Sequence, residues 1–467
     1  MKPIVAISFL AALLPLTTGG AMQTPAPRVL TLDEAVKLAL ERNPDLASAQ
    51  HRVAAARAAL QQADAAFWPR VRVSETYAAS DNPVQAFMMT LNQRALNLGA
   101  NFNHPDNTDN LNTKVLATYS LYNGGTDLAA RQAARLGAEA GQDSLDAVRN
   151  ELVFEVARSF YTVAKARQYV RSAEAAVTSM ESNLGVASNR FTEGTVLKSD
   201  LLDAEVRLSE ARENLVRARN TLAISETIFR NVLGVGETEN VTAADPPPVS
   251  GRSGLPAATG SSDKTLAQRD RDEGVAPPTT TEMLDVSRHP ELLAARKAVQ
   301  AATRQVRAAA GGHMPRVNAF ASYDLDSGDA ERFEDSWVAG VSVELDVFDG
   351  FLTRGKVAEA RANLASARET LRKTELNLEL EAQQARLNLD EAQSRLGTTE
   401  RVVAQADESL QITKERYSNG LALLTQLLDA ETALTAARQR RAAAEADQQI
   451  ARAALDKAQG RGWKEMP

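Results

Sequence analysis

The sequence predicts a mainly α-helical protein with a small β portion, built from two tandem repeats of helix, strand, strand, helix and helix. Three observations predict this fold. Aromatic residues make up only 5% of the 467 residues, and long stretches rich in Ala, Leu, Arg, Glu and Gln favour long helices packed through small residues. Short motifs recur at constant spacings along the chain. Two segments in each half alternate apolar and polar residues, as half-exposed strands do.

The duplication is visible as two constant spacings. Residues 42–46 recur 246 positions later, as residues 288–292. Residues 190–194 and 201–205 recur 226 positions later, as residues 416–420 and 427–431. The difference of 20 residues falls in one place, between Tyr77 and Tyr122. A constant spacing on each side of a single insertion indicates that one unit was duplicated.

The N-terminus and a compositional break predict the remaining segments. A lysine at position 2, an apolar run over residues 4–16 and small residues up to position 21 are typical of a secretory signal peptide over 1–21. Because the chain has no Cys, lipidation on a Cys is excluded. Pro, Gly and Ser dominate a linker or insert at 245–280. The sequence thus predicts a first repeat at 22–244, a second at 281–460 and a tail at 461–467.

Composition argues against several functions. A net charge of −7 disfavours nucleic acid as a partner, and the absence of Cys removes thiolate metal sites and Cys nucleophiles. The four His are scattered. We find no His-x-x-x-His pair, Gly-x-Ser-x-Gly elbow, P-loop or dinucleotide fingerprint. The sequence therefore predicts a protein that is not an enzyme, with no catalytic, cofactor or metal site.

The predicted strands lie at about 69–78 and 111–122 in the first copy, and at about 315–323 and 337–348 in the second. The better strands run for about 11 residues with one apolar face, which suits tilted transmembrane strands. The alternative is a half-buried sheet of a soluble protein, but no second layer is available to cover it. Because membrane sheets cannot leave open edges, four strands would require two chains for eight strands or three for twelve. Residues 78–110 are expected to form a long surface loop.

Long helices follow the strands. Residues from Thr126 to about Glu193 contain no Pro, which predicts one helix about 100 Å long. Residues 199–233 carry a Leu/Ala heptad pattern typical of coiled-coil packing. The helical segments 31–66 and 199–233 are together about as long as the long helix. We therefore expect two short helices to stack end to end beside one long helix.

Three motifs resemble those of the TolC-like outer membrane efflux family, also called outer membrane factors. They are the helix start at Leu32-Asp33-Glu34-Ala35, the junction Tyr122-Asn123-Gly124-Gly125, and the repeated turn Arg-Phe/Tyr-x-x-Gly followed by Leu-Leu-Asp-Ala-Glu. The resemblance implies a homotrimer in the Gram-negative outer membrane, with a 12-stranded transmembrane β-barrel and a long 12-helix periplasmic coiled-coil tunnel. It also implies the channel-tunnel of a tripartite efflux or type I secretion system, which gives substrates passive passage. The implied partners are outer-membrane lipid, a periplasmic adaptor (membrane fusion) protein and an inner-membrane pump.

The resemblance also implies a functional site at the turns between the long and short helices. Family members carry acidic residues just after these turns, around the periplasmic aperture. The matching positions here are Asp200, Asp203, Gln426 and Asp429, and Gln426 stands where the family often has Asp. The implied adaptor-docking tips are Gly194, Thr195, Val196, Leu197, Gly420, Leu421, Ala422 and Leu423. Ordinary solvated charges and loop residues are the alternative reading of this region, and a periplasmic coiled-coil scaffold or adaptor is the alternative for the whole protein.

Overall fold

The computed structural model describes residues 28–97, 99, 101, 103–236, 239–247 and 285–461. The predicted signal peptide, most of the predicted linker and the last six residues of the tail lie outside the described residues. No helix in the described ranges combines the length and the hydropathy that crossing a membrane requires.

The two halves of the chain fold alike. The first contains the elements β1 (Arg28–Leu30), α1 (Leu32–Arg42), α2 (Pro44–Asp64), β2 (Arg70–Ser80), α3 (Pro83–Asn92), β3 (Thr108–Asn123), α4 (Thr126–Thr192), α5 (Lys198–Leu233) and β4 (Val241–Ala243). The second contains α6 (Pro290–Ala310), β5 (Arg316–Ser327), β6 (Glu334–Glu344), α7 (Leu352–Ser418) and α8 (Leu424–Ala458). Helices α4 and α7 both have 67 residues, so the predicted tandem repeat is confirmed.

Local signals start the helices where the repeats begin. Thr31 and Glu34 form a capping box at the start of α1. Asn43 then interrupts the helix, because Pro44 cannot continue it but suits the first position of α2. The Asn43 side chain accepts hydrogen bonds from the backbone N–H groups of Asp45 at 2.8 Å and Leu46 at 3.2 Å. In α6 His289 has the same role, and its Nδ1 accepts from the backbone N–H of Glu291.

The expected end-to-end stack of short helices is confirmed. Helices α1, α2 and α5 all pack along α4, and the C-terminal end of α5 meets the junction of α1 and α2. There Asn43 Nδ2 donates to the carbonyl of Val232 at 2.9 Å. Gly234 has φ +71°, and a Cβ on it would lie 2.6 Å from the carbonyl oxygen of Arg42. This close approach between backbones requires glycine.

The four long strands form one antiparallel sheet in the order β2-β3-β5-β6. Cross-strand pairing aligns the side chains into rows, so that each face has its own character. An apolar row on one face consists of Val73, Val115, Tyr323 and Trp337. The neighbouring row on the opposite face consists of Ser74, Lys114, Asp324 and Ser336. Separately, β1 and β4 form a short parallel pair.

The structure differs from expectation at two strand connections. Residues 78–110 are not a continuous loop, because β2 and β3 extend into them and α3 forms between. Asn82 caps α3 by accepting from Val84 and Gln85 N–H groups, and Pro83 occupies its first turn. Strand β6 ends at Glu344 rather than near residue 348. The reason is that Glu344 pairs with Arg316, the first residue of β5, so the ladder has no partner beyond it.

Candidate functional site at the helix–helix turns

Both long helices end in the same turn. Gly194 and Gly420 have φ values of +73° and +72°. The next backbone N–H reaches back to the helix, from Thr195 to the carbonyl of Arg190 at 2.9 Å and from Leu421 to that of Arg416 at 2.8 Å. This is the Schellman motif, which satisfies carbonyls at a helix end and reverses the chain tightly. A sequence signal, the glycine after each helix, predicted these turns.

The tips beyond these glycines carry exposed apolar side chains. Leu197, Leu421 and Leu423 are exposed, whereas Val196 and Ala422 are half-buried. The Thr195 hydroxyl donates to the carbonyl of Arg190 and so belongs to the turn itself. Each tip therefore presents leucines to solvent at the end of a rigid pair of helices.

Two of the four predicted aperture residues cap the helices that follow the turns. The backbone N–H of Leu197 donates to Asp200 Oδ2 at 3.4 Å, and that of Leu423 donates to Gln426 Oε1 at 3.2 Å. The equivalent positions thus make the same backbone contact with different side chains. Gln426 retains the capping acceptor and lacks the charge.

The other two aperture residues, Asp203 and Asp429, are exposed on α5 and α8. Asp429 Oδ1 lies 3.2 Å from Arg207 Nη2, and Arg207 Nη1 lies 3.4 Å from Glu210 Oε2. The Asp429 pair links α5 to α8 just above the turns. Exposed ion pairs contribute only about 0–1 kcal/mol, so this link is weak enough to break. Sequence reasoning missed Arg207, because no local pattern indicates a partner 222 positions away.

The two turns lie side by side. The Arg190 guanidinium sits over the Tyr417 ring, 4.5 Å from its centroid, and Arg190 Nη1 donates to the carbonyl of Tyr417 at 3.4 Å. Below the turns an apolar cluster joins α4, α5, α7 and α8. Its buried members are Met180, Ala187, Ala204, Leu208, Ala211, Tyr417, Leu424, Leu427 and Leu428. The structure therefore holds the turns of both repeats together as one site.

Glu431 is a second residue that sequence reasoning missed. It is only 7% exposed. Its carboxylate accepts from Ser179 Oγ at 2.6 Å and from Asn183 Nδ2 at 2.8 Å, both on α4. Its counterpart in the first repeat, Glu205, is exposed. The repeated motif marks both positions but does not distinguish the buried one.

The chemistry of the site consists of carboxylates, the guanidinium groups of Arg190 and Arg207, and exposed leucines. In the part of the chain that the structure describes, no group of three or more His, Cys, Asp or Glu side chains is placed to hold a metal ion. Carboxylates at a helix turn attract cations, and exposed leucines favour contact with another apolar surface. The arrangement therefore suits ion attraction and protein contact.

Comparisons of sequence identify related proteins. The family model for outer membrane efflux proteins matches residues 35–235 and 286–461. Protein CyaE of Bordetella pertussis is 26% identical over 422 residues, which cover 89% of this chain and 81% of CyaE. Outer membrane protein TolC of Escherichia coli is 23% identical over 309 residues, which cover 62% of this chain and 57% of TolC.

Solved structures share the fold at low sequence identity. The outer-membrane channel OprN superposes with a TM-score of 0.75 at 20% identity, covering 93% of this chain and 90% of OprN. The outer membrane protein VceC of Vibrio cholerae also gives 0.75, at 19% identity, covering 92% of this chain and 96% of VceC. The family match spans most of the chain and lies in both repeats, as the resemblance of the motifs predicted. The chain therefore belongs to the outer membrane efflux protein family.

Proposed function

We propose that three copies of this chain form a passive duct through the outer membrane, and that the protein has no enzymatic activity. The duct receives its substrate from an inner-membrane pump and a periplasmic adaptor and releases it outside the cell. One observation carries the proposal: the four-stranded sheet has a mainly apolar face, interrupted by Glu75 and Asp335, that none of the described residues covers.

The uncovered face has the dimensions of a membrane band. Val73 and Trp337, in one row, are 67% and 75% exposed, and contiguous apolar surface of this kind marks a contact with lipid or protein. Exposed aromatic residues lie at both ends of the strands, with Trp68 just before β2 and Phe348 just after β6, near the helices, and Tyr77 toward the other end of β2. The nine residue steps from Trp68 to Tyr77, most of them in β2, extend about 30 Å, or about 23 Å of depth at a tilt of about 40°. This matches the apolar band of outer-membrane barrels, about 25 Å tall.

The opposite face suits a water-filled interior. Lys114 Nζ lies 3.1 Å from Asp324 Oδ1, and Asn112 Nδ2 donates to Asp326 Oδ1 at 3.0 Å. Transmembrane barrels of bacteria place apolar side chains outward and polar side chains inward. The two faces of this sheet follow that rule.

Strand directions allow copies to continue the sheet. All neighbouring strands are antiparallel, and β2 and β6 are the two edges. Strand β6 of one copy therefore runs antiparallel to β2 of the next, and the sheet closes without an open edge. Three copies give twelve strands, as the family resemblance implies. Each copy also supplies four helical columns: two long helices, and two stacks of short ones.

We further propose that the turns form the periplasmic end of the duct. Asp200, Asp203 and Asp429 line the aperture together with Gln426, and the exposed leucines of the tips contact the adaptor. Carboxylates gathered in a narrow pore attract cations and repel one another. The pair between Asp429 and Arg207 reduces that repulsion while the aperture is narrow.

The test of the duct is the mass of the complex extracted by detergent, measured by light scattering with the detergent subtracted. A trimer from the outer-membrane fraction that conducts ions in planar bilayers supports the proposal. A monomer or dimer released from membranes by carbonate would overturn it, and would favour a periplasmic scaffold.

The aperture makes a separate prediction. Replacing Asp203 and Asp429 together by Asn should lower the preference of the channel for cations over anions, and should weaken block by divalent cations added on the periplasmic side. The control is Glu213→Gln, which removes a charge about 15 Å further along α5. Bilayer recordings measure both quantities. Equal ion selectivity in the double variant and the control would show that these carboxylates do not line the aperture.

A further inference from the structure

The helix α3 crosses the outer end of the sheet. It begins three residues after β2, and the residues at its C-terminal end bond to later strands. Gln93 Nε2 donates to the carbonyl of Asp109 at 2.7 Å and to Asn110 Oδ1 at 2.9 Å, on β3. Arg94, which adopts φ +52°, donates from Nη2 to the carbonyl of Asp335 on β6 at 2.8 Å. The connection therefore follows β2 along the chain and is hydrogen-bonded to two further strands, β3 and β6.

These contacts place α3 over the polar face of the sheet. Asn110 lies on the same face as Lys114, and its Nδ2 donates to Asp326 Oδ1 at 2.6 Å. Asn110 and Asp326 are both buried. On α3 the buried Ala86 and the half-buried Met89 and Thr90 lie on one side of the helix, in line with Gln93. This side faces the strands.

The other side of α3 is an apolar stripe. Val84, Met88 and Leu91, spaced four and three residues apart, share one helix face. They are 71%, 51% and 38% exposed. A helix on the polar face of a sheet would ordinarily present polar residues to water, yet none of the residues that the structure describes covers this apolar stripe.

We propose that this stripe packs against the same stripe of the two other copies and closes the outer mouth of the barrel with an apolar constriction. The inference rests on the proposed trimeric duct, in which the polar face of the sheet lines the lumen. The occupant of the stripe is a second and a third copy of this chain.

Dimensions support the contact. Twelve strands about 4.8 Å apart, tilted by about 40°, close into a barrel whose wall lies about 12 Å from the axis. A helix is about 10 Å across with its side chains. A helix lying against the inner wall therefore brings its far side close to the axis, where three symmetry-related stripes meet. Lipid is not a competing occupant, because it contacts the opposite face of the sheet.

The constriction would control what leaves the duct. Narrow apolar pores exclude water and therefore block hydrated ions. A substrate driven from the periplasmic side must separate the three helices. The ties through Gln93 and Arg94 keep each helix attached to its own sheet while the stripes part.

Cross-linking tests the contact directly, because the chain has no Cys and a single introduced thiol is unique. In the detergent-extracted complex of known mass, Leu91→Cys should form covalent dimers with a short bismaleimide. Thr90→Cys is the matched control, since it lies on the side of α3 that faces the sheet. Conductance provides a second readout. The variant with Val84→Thr, Met88→Gln and Leu91→Gln should conduct several-fold more than the native channel, whereas Gln85→Ser on the flank of α3 should not.

The outcomes separate this inference from the proposed duct. A trimer in which Leu91→Cys links no better than Thr90→Cys, and in which the triple variant conducts like the native channel, would overturn the constriction and leave the duct intact. A complex that is not a trimer would overturn the duct itself. Cross-linking at Leu91 together with raised conductance in the triple variant would support both.

Discussion

Equivalent residues of the two repeats have acquired different roles. Glu205 and Glu431 end the same motif, yet only Glu431 is buried and bonded to α4. Asn43 and His289 cap equivalent helices, yet only His289 can change its charge near neutral pH. Each pair therefore provides a natural control within one chain.

Glu431→Ala should lower the free energy of unfolding by about 2–3 kcal/mol, because hydrogen bonds to a charged group contribute about 1.5–3 kcal/mol and the donors on α4 would be left unsatisfied. Glu205→Ala should change it by no more than about 0.5 kcal/mol, as exposed substitutions do. Denaturant unfolding followed by circular dichroism measures both. Similar losses in the two variants would contradict the difference in burial.

The burial of His289 predicts that the stability of the folded protein depends on pH. Burial lowers the pKa of His289 below its ordinary value, while Glu291, Glu381 and the backbone of Lys457 oppose the shift and the charge of Lys457 adds to it. As pH falls, the unfolded chain binds a proton at His289 before the folded chain does, so this residue reduces stability below about pH 6.5. His289→Asn, which copies Asn43, should lose less stability than the native protein between about pH 7 and about pH 5.

The measurement is the unfolding midpoint as a function of pH, with His51→Asn as the control, because His51 is exposed. The control should retain the native dependence. If His289→Asn also retained the native dependence of the unfolding midpoint on pH, the buried imidazole would not be the source of that dependence.

At the scale of elements, the junctions between helices are more constrained than the turns at the tips. Gly194 and Gly234 both end a helix with positive φ. A Cβ on Gly194 would meet nothing within 4 Å, whereas one on Gly234 would lie 2.6 Å from the Arg42 carbonyl oxygen. The stack of α5 on the junction of α1 and α2 therefore depends on Gly234.

Gly194→Ala should cost about 1 kcal/mol, the penalty for a left-handed backbone with a Cβ. Gly234→Ala should lower the free energy of unfolding clearly more, because the added Cβ would also force the backbones at Gly234 and Arg42 apart. Thermal unfolding of the two variants provides the comparison. Equal costs would mean that the stack is not tightly packed at Gly234.

At the scale of the whole molecule, the two faces of the sheet set its orientation. Val341 lies on the apolar face, and Ser342 follows it on the polar face. If the apolar face contacts lipid, Val341→Arg should cost about 2–4 kcal/mol near the membrane midplane. Ser342→Arg, in the lumen, should cost far less and alter conductance instead. The yield of heat-resistant trimer and the single-channel conductance measure these effects, and the opposite ranking would reverse the assignment of the faces.

Much of the fold follows from local signals. The capping box at Thr31, the prolines after Asn43 and His289, and the glycines at 194 and 420 start or end helices through contacts within a few residues. Alternation predicted the strands, and the constant spacings predicted the repeat. The cap of α3 at Asn82-Pro83 was also a local signal, but the Asn-rich stretch around it favoured a loop.

By itself, then, the sequence determined the order of helices and strands, the duplication and the turns that carry the site, because each depends on neighbours along the chain. Tertiary structure alone decided that Arg207 pairs with Asp429, that Glu431 is buried while Glu205 is not, and that α3 lies over the polar face of the sheet. The partners in the two cross-helix contacts are more than 200 positions apart. Such contacts depend on how the two repeats pack against each other, which no local pattern encodes.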